Sequence, residues 1–239
     1  MARLSALILL LATVAFAAAP LITPPFTGYD PSVFPVRIDR PAVQPAPYAF
    51  SIWLVIYVWL IVHAAFGLWQ RATHPAWDVV RLPLILSVVI GVVWLAIAGL
   101  SPVWGTITIW IMAAAAITAF LRADTTVDRW LLSAPLAMLA GWLTAAAAVS
   151  TGVLVAGYGL LSNSATAVVM MALVLAVAAS LQRKRPAMPV YGLTVIWALI
   201  GVAVANGSAT MIVTATALIG MALMAVTIAL QQRGATRLA

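Results

Sequence analysis

The chain of 239 residues contains no cysteine, two histidines and only five acidic residues. Without cysteine there can be no disulfide, no thiol chemistry and no Cys-ligated metal. Charged residues make up 7% of the chain, against about 25% in a soluble domain. What fills the space is apolar: 65% of the residues, gathered into long runs. This is the composition of a membrane protein. The net charge of +7 follows from membrane topology, and no nucleic-acid partner is expected.

The apolar runs cover about 4–22, 49–69, 82–100, 103–121, 131–157, 163–181, 188–205 and 208–231. Most have roughly the 20 residues that a helix needs to cross a bilayer core. The expected fold is therefore an all-α, polytopic membrane helix bundle of about eight transmembrane helices, with the lipid bilayer as its first partner. Ser101-Pro102 and Asn206-Gly207-Ser208 mark tight turns. The first run, with Ala15-Phe16-Ala17 near its end, also has features of a signal peptide; its continuation through Ile22 favours a retained helix.

Alternating the segments across a membrane puts Arg3, Arg71, Arg81, Arg122, Arg129, Arg183, Lys184, Arg185, Arg233 and Arg237 on one side. Only Arg37 and Arg40 fall on the other. Short basic loops stay in the cytoplasm. Both termini are thus expected inside, in a multi-pass protein of the cell (inner) membrane.

No Asp, Glu, Lys or Arg lies inside an expected helix, which argues against ion-coupled transport and proton pumping. It also removes paired carboxylates. His63 is the one ionisable group expected within the membrane, read as bonding a neighbouring helix; His74 has no visible partner. No Gly-x-Ser-x-Gly stretch accompanies the many serines. The chain is not expected to be an enzyme or to hold a metal.

Aromatic residues remain. Phe50, Trp53 and Tyr57 follow the proline-rich loop 23–48 at spacings that put them on one helical face. They could receive a flat apolar ligand or form an interfacial belt. Trp69, Trp77, Trp104 and Trp130 lie near helix ends, where a belt accounts for them; Trp53, Trp59, Trp94, Trp110, Trp142 and Trp197 lie deeper. On the fifth helix Gly141, Ala145 and Val149 share a small-residue face beside Trp142. Loop 23–48 is expected to be extended and stiff, as a lid or a spacer.

Three motifs are similar to those of the TspO/translocator-protein family, in particular the larger bacterial tryptophan-rich sensory proteins. They are Pro47-x-x-Phe50-x-x-Trp53-x-x-x-Tyr57, Gly91-Val92-Val93-Trp94 and Trp142-x-x-x-Ala146-x-x-x-Ser150. Gly91 and Ser150 stand where the family has Asn. The resemblance runs over residues 1–157 and implies a five-helix region, followed by three additional helices (158–231) and a cytoplasmic tail (232–239). It further implies a pocket for a planar hydrophobic ligand, porphyrin, tetrapyrrole or sterol-like. Trp53, Trp142 and Ala146 would line it, with Phe50, Tyr57 and Trp94 close by and no tightly held cofactor. The expected function is a membrane sensor or receptor. Alternatives are a transporter of a neutral hydrophobic solute, a scaffold subunit without a ligand and, least supported, a porphyrin-degrading enzyme. The last three helices could close the pocket or form a homodimer face.

Overall fold

The computed structural model describes residues 2–24, 26 and 28–236, with side chains through Gln232. Eight helices follow in order: α1 (Ala2–Ile22), α2 (Ile52–Gln70), α3 (Pro75–Leu100), α4 (Pro102–Arg122), α5 (Ser133–Gly157), α6 (Asn163–Lys184), α7 (Val190–Asn206) and α8 (Met211–Thr236). Two short 3₁₀ turns, Pro31–Val33 and Pro47–Ser51, interrupt the long loop, and no strand occurs among the described residues. Seven helices are long and apolar enough to span a membrane; α7, with 17 residues, is shorter. The chain is a multi-pass helical membrane protein. Of the tail expected from residue 232, α8 takes in the part up to Thr236, and the final residues lie outside those described.

Local chemistry sets the helix ends. Ser101 closes α3, its N–H bonding Ile97 O, and opens α4 by accepting the Trp104 N–H on its side chain. Pro102 at the first position of α4 has no N–H to leave unpaired. Ser162 caps α6 in the same way, through the Ala165 N–H.

Two expectations about polar residues are corrected at α3. The helix begins at Pro75 rather than near 82, because His74 caps it: its Nδ1 accepts the Ala76 N–H at 3.2 Å. His74 therefore has a structural partner. The earlier start also brings Asp78 and Arg81 inside a membrane-length helix, so His63 is not the one ionisable residue there. Arg81 is 2% exposed. Its Nη1 donates to Ala2 O and Asp78 Oδ1, and its Nη2 donates to Arg71 O, each at 2.9 Å. One guanidinium thus ties the start of α1 and the end of α2 to α3.

The chain divides into two compact units, Met1–Thr27 with Ile52–Leu143, and Gly28–Ser51 with Thr144–Ala239. In the first, α3 packs on α4 and α1, and α1 on α2. Ile56, Leu60, Leu84, Val88, Phe120 and Leu136 are almost fully buried in its core. At the loop end, Asp128 accepts two bonds from Arg71, at 2.7 and 3.2 Å, and one from the Trp77 indole at 2.9 Å. Trp77 is 1% exposed, so it is an internal anchor and not part of a belt. Trp69, Trp104 and Trp130 are largely exposed near helix ends, and Trp110, two turns inside α4, turns part of its ring to the outside of the helix.

In the second unit, α7 packs on α8, α6 and the turn Pro47–Ser51. The proline-rich loop is fastened to these helices by its backbone. Val36 N–H bonds Gly157 O and Ala46 N–H bonds Gly201 O, each at 2.9 Å. Asn163 accepts the Ala42 N–H and donates to Arg40 O, while the Asn206 amide donates to Ala42 O. Proline-rich backbone has few donors of its own, so side-chain amides from α6 and α7 supply the missing partners.

Two predictions follow from these contacts. The bonds from Arg71, aided by Trp77, hold the Asp128 carboxyl below its ordinary range against the opposing effect of burial. A carboxyl lowered on folding contributes fully above its unfolded value of about 4 and loses that contribution as pH falls through its folded value. Asp128→Asn should therefore melt below wild type at pH 7, with the gap closing as pH falls below 4. Thermal unfolding across pH checks this; a constant gap contradicts it. Asn206→Leu leaves the buried Ala42 carbonyl unpaired, at about 1–3 kcal/mol. Limited proteolysis should then cut faster within residues 28–46 while helical circular dichroism is unchanged.

Candidate functional site

The rings expected at the site begin where the proline-rich loop gives way to α2. Phe50 lies in the 3₁₀ turn, 41% exposed, and belongs to the second unit. The α-helix starts only at Ile52, so the helical periodicity that placed Phe50 in register with Trp53 and Tyr57 does not apply across the turn. Ala146 also belongs to the second unit, half-buried on α5.

Within the first unit, Trp53, Tyr57 and Trp142 come together. Trp53 and Tyr57, one turn apart on α2, stack with centroids 5.3 Å apart and planes 18° from parallel. Trp142 from α5, 2% exposed, meets Trp53 edge-on at 6.2 Å. Edge-to-face and offset-stacked pairs are the arrangements that aromatic quadrupoles favour. Trp94 is held elsewhere in the unit, its indole donating to Gly105 O at 2.8 Å and its ring against Phe26 at 5.3 Å.

A fourth ring completes the cluster, and sequence reasoning missed it. Phe16 of α1 sits edge-on to Trp53 at 5.8 Å and to Tyr57 at 5.1 Å, and is 4% exposed. The Ala-Phe-Ala context drew attention to processing instead of packing. The available signal was Gly91. A Cβ on Gly91 would stand 2.6 Å from Phe16 Cδ2 and closer still to Cε2, separations that real Cβ atoms do not adopt. The missing side chain on α3 is what lets the ring in. The second position that departs from the family pattern is also occupied: Ser150 Oγ shares a 2.7 Å hydrogen bond with the Tyr29 hydroxyl in the second unit.

The polar edges of the cluster are unspent. Trp59, Trp77, Trp94 and Trp197 each donate the indole N–H to a protein oxygen. The half-buried Trp53 indole and Tyr57 hydroxyl have no hydrogen-bond partner among the described residues. The cluster therefore offers ring faces and two donors, and no acid–base pair. His63 lies elsewhere, fully buried and stacked on Trp77 at 4.8 Å, with its Nδ1–H donating to Leu131 O at 2.7 Å. No group of three His, Cys, Asp or Glu side chains fit to hold a metal occurs among the described residues.

The family model described as TSPO-like protein matches residues 4–230. The match runs from α1 past residue 157, through α6 and α7, and almost to the end of α8. No curated protein and no solved structure matches. With nearly its whole length covered, the chain belongs to the TSPO-like family.

Proposed function

We propose that this protein is a receptor-like or sensory membrane protein that holds a planar hydrophobic ligand on the Trp53–Tyr57 pair. The observation that carries this reading is the pair of unused donors. An indole N–H or phenol O–H on a half-buried ring in an apolar bundle commonly bonds a protein oxygen, as those of Trp59, Trp77, Trp94 and Trp197 do here. A ligand acceptor is the partner that Trp53 and Tyr57 lack. The stacked rings supply broad apolar faces, and Trp142 packs edge-on against Trp53. Family membership makes a tetrapyrrole or a sterol the first molecules to test.

Among the described residues, the charged side chains of the membrane-length helices lie towards helix ends, and the buried one, Arg81, is satisfied by two carbonyls and Asp78. That favours sensing over ion-driven transport. The concentration of basic residues on one side of the alternating segments supports cytoplasmic termini.

The test is ligand binding to the purified protein in nanodiscs, by calorimetry with protoporphyrin IX, cholesterol and menadione. At least one should bind saturably. Trp53→Phe and Tyr57→Phe, which keep the rings but remove one donor each, should each weaken it about 5–10-fold, the loss of one hydrogen bond. Affinity unchanged in Trp53→Ala and Trp142→Ala would overturn the reading.

A further inference from the structure

We propose that Phe16 is a displaceable occupant of the ring slot. Together with Gly91 it restricts the slot to flat, uncharged rings that carry a hydrogen-bond acceptor. The proposal rests on the ligand-binding reading above and names the class of ligand.

Phe16 already makes the contacts that a bound ring would make. It stands perpendicular to both members of the stacked pair, and its Cδ2, Cε2 and Cζ atoms fill the space that a side chain at Gly91 on α3 would take. Without it, an apolar slot of about one phenyl ring would stand empty and its lining atoms would lose their partners. A ligand ring can replace those contacts one for one, because Phe16 is held by ring packing and by no polar bond.

The backbone that carries Phe16 is loosened at the same place. Pro20 lies inside α1, four residues on. A helical residue four positions on normally donates its N–H to the carbonyl at position 16, and proline has none to give. The proline ring also crowds that carbonyl. The turn bearing Phe16 therefore lacks one rung of the helix ladder, which lowers the resistance to moving its side chain. Gly91, Pro20 and the edge-on ring are three independent features at one point.

The same residues limit what can enter. No side chain among Phe16, Trp53, Tyr57, Gly91 and Trp142 carries a charge or is a strong acceptor. An anionic ligand would bring an unpaired charge into an apolar site, a heavy penalty. The unspent Trp53 N–H and Tyr57 O–H call for an acceptor on the ligand. A quinone or ketone on a fused ring fits that description.

The experiment measures menadione binding to wild type, Phe16→Ala and Phe16→Leu in nanodiscs, by calorimetry for affinity and stopped-flow for association. Removing the occupant should tighten binding at least 5-fold and speed association in Phe16→Ala, with Phe16→Leu between the two. A ring that served packing alone would lower the melting temperature and leave affinity equal or weaker; that result in either helical, monodisperse variant overturns the proposal. Phe16→Leu carries the test if Phe16→Ala does not fold. Naphthoquinone-2-sulfonate should bind at least 10-fold more weakly than menadione, and equal binding overturns the uncharged class. If protoporphyrin IX or cholesterol binds through Trp53 and Tyr57 while the Phe16 variants change nothing, this proposal fails and the receptor reading stands. If no probe binds wild type or either variant, both fail.

Discussion

A polar hydrogen inside an apolar bundle is costly unless it finds an oxygen, and that demand arranges much of the described chain. With little water to fall back on, each unmatched N–H or O–H costs on the order of 1–3 kcal/mol. Arg81 meets the demand by spreading one guanidinium over three oxygens. Ser87 meets it by donating to Met112 O on the neighbouring helix. The proline-rich loop meets it with amides borrowed from Asn163 and Asn206. The Trp53 indole and Tyr57 hydroxyl, on half-buried rings, make no such bond among the described residues, and neither does the buried Thr166 hydroxyl; the first two mark the candidate site because they lie on one stacked ring pair.

The helices were legible because hydrocarbon admits only long apolar runs, and those runs are plain in the sequence. Their ends were less so. His74-Pro75 is a helix start, yet a histidine is an uncommon cap, and reading it as loop moved Asp78 and Arg81 out of α3. Trp77 lies in the same stretch. Proximity to a helix end suggested a belt, whereas its partner, Asp128, comes from a loop more than fifty residues away. Such pairings are long-range, and spacing does not encode them. That Trp53 and Tyr57 share a helical face was legible, being one turn apart. The arrival of Phe16 from α1 was not, although the glycine that admits it stood in plain view as a departure from the family pattern.

Both departures from that pattern have the same physical form. Where the family has an amide at position 91, this chain has bare backbone filled by the Phe16 ring. Where the family has one at position 150, it has a small hydroxyl matched to the Tyr29 phenol. Each replacement keeps its unit packed, and each exchanges a side-chain amide for an aromatic ring from the chain itself. Neither is a simple loss, because a bare Asn-to-small exchange would leave a void at an otherwise close-packed position.

That exchange changes how a ligand can be told from its analogues. A site that reads its ligand through amides penalises a missing polar group severely, because buried donors and acceptors are left unpaired. An apolar slot distinguishes ligands by only about 1–3 kcal/mol per methylene. On the proposed reading, this protein retains two donors and otherwise discriminates by flatness and thickness. It should accept several fused-ring acceptors of similar shape with affinities close together. Phe16 sharpens this limited selectivity in a way that extra contacts would not. Every entrant must first match what the phenyl ring already gains from Trp53, Tyr57 and the Gly91 backbone, so rings too small or too puckered to do so are rejected before any hydrogen bond is made.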